Sequence, residues 1–222
     1  MKKHLKQKFL FVFIASILCS CSDATSLPSL IDSENSEDIE LLLDLWEESD
    51  VYKYTYRGLD ENTMPISGWV APVSDYGCNT NEQYKILKES GLNSIYGLYD
   101  SMNNGRYSEI IKALEYASNN DISYIVRDTS IASYCEDLTD LTDLEEYIEE
   151  FKTYDSFGGF FPSDEPSADN FASLKMGSLG MQMVDPNLLY YINLLPNYAD
   201  MATQCKTSTY EEYVEKFIKT VS

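Results

Sequence analysis

Short apolar runs alternate with helical stretches from Met64 to the end of the chain. Each run is followed by a segment whose apolar residues recur every three or four positions, as in a helix with one buried face. We predict strands at Met64–Val73, Leu92–Tyr99, Ile122–Val126, in the run that opens at Phe157, and at Leu188–Leu195. We predict helices at Asn81–Ser90, Tyr107–Ser118, Leu141–Tyr154, Ala168–Met183 and Tyr210–Val221. The pattern is therefore a β-α unit that is repeated five times.

The strands of this repeat are mostly continuous apolar runs. Strands of that kind are buried on both faces, as parallel strands covered by helices are. The sequence thus predicts an α/β fold, and two architectures agree with it. One is a doubly wound open sheet of five strands, and the other is part of a (β/α)8 TIM barrel that shows about five of its units. Val73–Cys78, after the first strand, has one glycine where a flavodoxin-like phosphate loop would have several, which disfavours the doubly wound sheet.

The first twenty residues have the pattern of a secretory signal. Four lysines precede an apolar run, Phe9 to Leu18, that is too short to span a membrane as a stable helix. The run ends in Leu18-Cys19-Ser20-Cys21, which resembles the bacterial lipobox. This resemblance implies cleavage before Cys21 and lipidation of Cys21. It also implies export and lipid anchoring at the bacterial cell envelope, on the outer membrane.

Two further segments separate the signal from the repeat. Residues 21–36 are polar and predict a flexible tether. Asp38–Glu48 has apolar residues on one helical face and predicts a short helix. We therefore expect a signal peptide at 1–20, a tether at 21–36 and a barrel-like domain at 37–222.

Charge and composition exclude several kinds of site. The formal net charge is −21, and such a surface repels nucleic acid and anionic lipid, so membrane attachment would come from the lipid on Cys21. The only histidine, His4, lies in the signal segment, which excludes a serine-histidine triad and a histidine-ligated metal site from the mature chain. Acid-base chemistry would then fall to carboxylates, tyrosines or lysines. Eighteen tyrosines in an acidic, exported chain favour carbohydrate as the partner, since rings stack on sugar faces.

Three cysteines remain once Cys21 is lipidated, namely Cys78, Cys135 and Cys205. None belongs to a C-x-x-C motif, so their spacing indicates no metal site, and no motif indicates a cofactor. One disulfide and one free thiol are compatible with an oxidising compartment. The sequence leaves the pairing open.

Polar residues recur at the carboxyl ends of the predicted strands. In either architecture the active site lies beyond these ends. The residues concerned are Asp75, Tyr76, Tyr99, Asp100, Arg127, Asp128, Asp164, Glu165 and Asn193. Asp75, Asp100 and Asp128, taken singly, are better explained as caps of the following helices.

Glu165 stands apart from these residues because no helix begins at it, and Ser167 is the better helix cap. It ends the run FGGFFPSDEPS, in which two glycines allow close packing of the strand. Phe160 and Phe161 could partly desolvate its carboxyl group, and desolvation raises the pKa of a carboxyl, as a general acid requires. We therefore predict a catalytic or ligand-binding role for Glu165.

The segments MPISGWVAP, ESGLNSIYG and GGFFPSDEPS resemble the first half of clan-A glycoside hydrolases, such as family 42 β-galactosidases, and a group of secreted bacterial lipoproteins with such barrels. The resemblance covers residues 60–222. In that clan the fourth strand ends in Asn-Glu-Pro, and its Glu is the acid/base, a position that Glu165-Pro166 matches. Asp164 replaces the Asn, which in the clan donates a hydrogen bond to the sugar 2-hydroxyl. An ionised Asp can only accept, so either the sugar hydroxyl donates instead or the activity differs from that of the clan.

The resemblance implies a surface-anchored domain that hydrolyses a β-linked glycan with retention, with Glu165 as general acid/base. The clan's nucleophile follows the seventh strand and must lie about 5 Å from the acid/base. Because five units are present, we expect an incomplete hydrolase that is inactive alone. The alternative is a non-catalytic lipoprotein that binds an oligo- or polysaccharide. In either case we predict that the sugar contacts include Trp69, Tyr76, Tyr99, Tyr198, Asp128, Asp164 and Asn193.

Overall fold

A computed structural model describes residues 64–221 of the chain. The signal segment, Cys21, the tether and the predicted helix at Asp38–Glu48 lie outside these residues. None of the helices that the structure describes is both long enough and apolar enough to cross a membrane.

Strands and helices alternate along the described chain, as the apolar pattern predicts. The strands are β1 (Ser67–Gly68), β2 (Ser94–Ser101), β3 (Ser123–Arg127), β4 (Phe157–Asp164) and β5 (Leu189–Asn193). The helices are α1 (Asn81–Glu89), α2 (Tyr107–Ser118), α3 (Thr142–Lys152), α4 (Phe171–Val184) and α5 (Tyr210–Thr220). Short helical turns lie at Ser74–Tyr76, Met102–Asn104, Ile131–Cys135, Ala168–Asn170 and Met201–Cys205.

The five strands pair in sequence order, β1-β2-β3-β4-β5, and every pair is parallel. A doubly wound sheet reverses its strand order at a switch point, so the doubly wound alternative is wrong. The sheet curls through 199°. An eight-stranded cylinder turns about 45° at each strand, or about 180° over five strands, so this curl is close to that of half a barrel.

The first strand is much shorter than predicted. Only Ser67 and Gly68 pair with β2, although the sequence predicts a strand over Met64–Val73. On the amino side of β1, the Asn93 side chain replaces the ladder, because its amide donates to the Met64 carbonyl and accepts from the Ile66 N–H. The segment therefore follows β2 through these side-chain bonds and through main-chain bonds from the Asn93 N–H to the Ile66 carbonyl and from the Ala71 N–H to the Tyr96 carbonyl, rather than through a long strand.

The main hydrophobic core lies between the convex face of the sheet and the helices. Phe157 and Phe160 of β4 and Tyr124 and Val126 of β3 are buried there. They pack with the inner faces of the helices, from which come Tyr84, Ile110, Leu114, Leu144, Ile148, Phe151 and Met181. Right-handed crossovers between neighbouring strands place each helix on the same side, which leaves the other side of the sheet concave.

A bulge in β4 sets the position of the strand tip. The pairing of β4 shifts register around Gly159, whose φ of 136° is one that L-residues rarely adopt. A Cβ at this position would overlap the Leu189 carbonyl of β5. Gly159 is therefore required for β4 and β5 to approach each other, and this close approach brings Asp164 level with Asn193.

Candidate functional site at the carboxyl edge of the sheet

Four aromatic rings fill the concave side of the sheet, and we call them the aromatic plug. They are Trp69, just after β1, Tyr96 of β2, Phe161 of β4 and Tyr191 of β5. Their ring centroids lie 4.4–6.4 Å apart. The contact of Trp69 with Tyr191, at 6.4 Å, joins the first and fifth strands across the concavity. Strands one and five lie opposite each other in an eight-stranded cylinder, so these rings stand near the axis that such a cylinder would have.

A cleft of about 560 Å³ lies at the carboxyl edge of β3 and β4. Its walls are largely polar, with hydroxyl, amide and charged side chains beside two prolines and a few apolar residues. The polar residues that line it are Arg127, Thr129, Ser163, Asp164, Glu165, Ser167, Asn170, Ser173 and Gln204. This volume and these donors and acceptors suit a small polar ligand.

Asn193 holds both carboxylate residues of the β4 tip. Its side-chain amide donates to Asp164 Oδ1 at 2.9 Å, and its main-chain carbonyl accepts the Glu165 N–H at 2.8 Å. The sequence predicts Asn193 as a sugar contact, but its amide binds Asp164 instead. Asn193 therefore orients the two acids, and Asp164 keeps one carboxylate oxygen for other partners.

Glu165 lies in a strained backbone conformation and is exposed. Its φ of 53° is in the left-handed region, which a residue with a Cβ adopts at a cost of about 1–2 kcal/mol. The expected desolvation by Phe160 and Phe161 is wrong, since both rings are fully buried while Glu165 is exposed. Glu165 instead lines the cleft.

Arg127 connects the aromatic plug with the cleft. Its guanidinium donates to the Phe161 carbonyl at 3.0 Å and lies 4.6 Å from the centre of the Phe161 ring. Partial burial lowers the pKa of Arg127, while the charges of Asp164 and Asp128 act against that shift. The group is half-buried and lines the cleft, so it presents a cation beside Asp164 and Glu165.

Asp128 lies elsewhere, on the convex side of the sheet. It is fully buried and accepts hydrogen bonds from the Ser130 N–H, the Ser130 hydroxyl and the Tyr147 hydroxyl. Burial, and then the bond to Asp128, raise the pKa of Tyr147. Both oxygens of Asp128 are thus used within the fold, which gives it a structural role in joining β3 to α3.

The other acids at this edge also hold loops together. Asp100 is buried and accepts from the N–H and the hydroxyl of Ser74, which ties the end of β2 to the loop after β1. Asp75 is paired with Arg106 at 2.5 Å. Both acids are used within the fold, but neither caps the helix that follows it, contrary to the sequence prediction, because Thr80 caps α1 and the first turn of α2 has no side-chain cap.

Three of the residues predicted to stack on sugars are exposed, and each lies in a different segment of the chain. Tyr76 is 82% exposed in the turn after β1, Tyr99 is 59% exposed near the end of β2, and Tyr198 is 87% exposed after β5. None of the three lines the cleft. Trp69 is 42% exposed and belongs to the aromatic plug. The structure therefore separates a ring cluster on the concave face from three exposed rings, two in loops and one near the end of β2.

The cysteines and acids of the described chain form no metal site. Cys78, Cys135 and Cys205 are free thiols, so the disulfide that the sequence allowed is not formed. Cys135 and Cys205 are buried in two different clusters of the core, which keeps them apart. Within residues 64–221, no group of three or more Cys, His, Asp or Glu side chains could hold a metal ion.

No family model matches the chain, and no curated protein matches it in sequence.

Arg127 and Asp128 are neighbours at the end of β3, and the sequence predicts only Asp128 as a sugar contact. The period of two along β3 could have reversed that choice. Tyr124, Val126 and Asp128 share one face, and the apolar residues of that face belong to the core under the helices. Ile125 and Arg127 share the other, concave face. Tyr96 and Tyr191 were missed for a different reason, because their meeting on the concave face depends on the strand order.

Proposed function

We propose that this domain binds a glycan in the cleft at the carboxyl edge, and that Glu165 is the proton donor of a glycoside hydrolase-type site. The observation that carries the proposal is the geometry of the β4 tip. An acid followed by proline stands at the end of the fourth strand of a sequentially wound, curled sheet. A bond from its own N–H to β5 holds it there in a left-handed backbone conformation.

Strain at this position supports a functional role for Glu165. Asparagine or glycine would adopt the left-handed conformation more readily, and the exposed side chain gains no packing in return. Strained backbone persists where the surrounding structure imposes it and is concentrated at functional sites. A carboxylic acid that lines a polar cleft can reach a glycosidic oxygen of a bound sugar and transfer a proton to it.

The other groups of the cleft suit a sugar ligand. Asp164 has one oxygen fixed by Asn193, and the second can accept a hydroxyl hydrogen bond. Ser163, Asn170 and Gln204 supply further donors and acceptors. The aromatic plug beside the cleft offers the partly exposed Trp69 ring for stacking.

One observation favours a second candidate, a binding domain without catalysis. A retaining mechanism needs a second carboxyl group about 5 Å from the acid. Among the described residues that line the cleft, the carboxylates are Asp164 and Glu165 alone, and these are consecutive on one strand. For residues 64–221 taken by themselves, glycan binding is therefore the better-supported activity.

Two measurements test the proposal and separate its two forms. The chain is titrated with neutral and acidic oligosaccharides in a calorimeter, and turnover of aryl β-glycosides is followed in parallel. Binding with turnover that Glu165→Gln abolishes would support the hydrolase. Binding of equal strength in wild type and Glu165→Gln, without turnover, would support the binding domain. If no oligosaccharide binds at millimolar concentration, the proposal is wrong in both forms.

A further inference from the structure

Arg127 is a half-buried cation without an ion-pair partner in a strongly acidic chain. The sequence has 37 acidic and 16 basic residues, yet no Asp or Glu oxygen of the described residues lies within 4.0 Å of the Arg127 guanidinium. The other arginine of this region, Arg106, is paired with Asp75 at 2.5 Å. Burial of a charge costs free energy that an ion pair would partly offset, so the unpaired state of Arg127 needs a reason.

The contacts of Arg127 fix its orientation without forming an ion pair. A guanidinium has five N–H donors, and the bond to the Phe161 carbonyl is the hydrogen bond it makes within the described chain. One side of the group lies against the Phe161 ring. The cleft is the open side, so a ligand in the cleft can reach the remaining donors. A planar guanidinium that is held in this way is suited to a carboxylate or sulfate, which it can bind through two parallel bonds.

The nearest acids do not neutralise Arg127 at contact distance. Asp128 is used by Ser130 and Tyr147 on the other side of the sheet. Asp164 is held by Asn193, and both it and Glu165 remain available for sugar hydroxyls. The general repulsion of an anion by this acidic chain falls off over about 8 Å at physiological salt, whereas the contact with Arg127 acts at hydrogen-bond distance.

We propose that Arg127 is an anion anchor and that the glycan bound in the cleft carries a carboxylate or sulfate group. This inference rests on the proposed glycan-binding function and narrows its ligand to acidic sugars. The carboxylate of a uronic acid and a sulfate ester offer the same paired oxygen acceptors, and the test below distinguishes them.

The test compares matched ligands that differ in one charge. Trigalacturonate is compared with its methyl ester, and 3′-sulfolactose with lactose, by calorimetry on the full chain. We expect the acidic member of at least one pair to bind tenfold more tightly or better, which corresponds to about 1.4 kcal/mol. The pair that shows the preference identifies the anion as carboxylate or sulfate.

Variants assign the preference to Arg127. Arg127→Gln should reduce the affinity ratio within the pair to about one, whereas Arg106→Gln, which changes the net charge equally, should leave it unchanged. Arg127→Lys keeps the charge but lacks the planar fork and should retain part of the preference. If Arg127→Gln fails to fold, as melting curves would reveal, Arg127→Lys and the wild-type ratios still decide the question.

Each outcome separates this inference from the proposed function. Equal affinities within both pairs in the wild-type protein, or a preference that persists in Arg127→Gln, would overturn the anion anchor while glycan binding stands. Absence of binding for all four ligands would overturn both.

Discussion

Glu165→Gly should make the protein more stable and remove its proposed activity. The wild-type residue has a φ of 53°, and relief of this left-handed conformation contributes about 1–2 kcal/mol. Glycine also gains freedom in the unfolded chain, which offsets about 0.4–1 kcal/mol. Because the side chain is exposed, its removal loses little packing, and the N–H bond to Asn193 is retained. The net stabilisation should be about 0.5–1 kcal/mol.

Urea unfolding followed by circular dichroism measures this difference, and the melting temperature should rise by about 2–4 °C per kcal/mol for a domain of this size. Glu165→Gln keeps its Cβ, so it should lose activity without any gain in stability. Asp121→Gly is a matched control, because Asp121 has a φ of 51° at the turn between α2 and β3. It should be stabilised by a smaller amount, since Asp tolerates this region better than Glu, and should keep full ligand binding.

A Glu165→Gly variant that is less stable than the wild type would refute this reasoning. Such a result would mean that the Glu165 side chain stabilises the fold through contacts, and that the strained backbone is no sign of function. Stabilisation without any loss of binding or turnover would leave the strain argument intact but remove Glu165 from the site.

Three further predictions concern the residues around the β4 tip. Asn193→Asp should weaken ligand binding, measured by calorimetry, because it brings two carboxylates to hydrogen-bond distance. The double variant Asp164→Asn, Asn193→Asp exchanges the two groups and should restore much of the affinity. Weakened binding that the double variant does not restore would contradict the pairing of Asn193 with Asp164. Tyr147→Phe should lower the free energy of unfolding by about 1.5–3 kcal/mol, measured in urea, because the buried Asp128 loses a hydrogen-bond donor. An unchanged free energy of unfolding would contradict the bond between Tyr147 and Asp128. Gly159→Ala should prevent folding or lower the melting temperature severely, since the Cβ of the alanine would overlap the β5 backbone. A melting temperature close to that of the wild type would mean that β5 can move away.

The sequence alone predicted the order of the elements and most of their limits. The helix at Tyr107–Ser118 has the predicted bounds, and the strand that opens at Phe157 begins where expected. These elements follow from local rules, namely the spacing of apolar residues and the position of glycine, proline and capping side chains. The first strand was predicted too long, and its apolar pattern could not show that the Asn93 side chain takes up the Met64 carbonyl and the Ile66 N–H on its amino side.

The chemistry at the end of the fourth strand could also be located from the sequence. Asp164, Glu165 and Pro166 follow a buried strand, and parallel strands place such residues at one edge of the sheet. The exposure of Glu165 could not be predicted, since it depends on the left-handed turn and on the bond that its N–H makes to Asn193.

Tertiary structure decided which way the sheet winds and which side chains meet. Strand order depends on pairing between residues some thirty positions apart, and a doubly wound sheet and half a barrel share the same local pattern. Only the sequential order and the 199° curl created a concave face, placed Arg127 on it and buried Asp128 behind it. Local propensity determined the elements because it acts between near neighbours in the chain, while the site depends on contacts between separate strands.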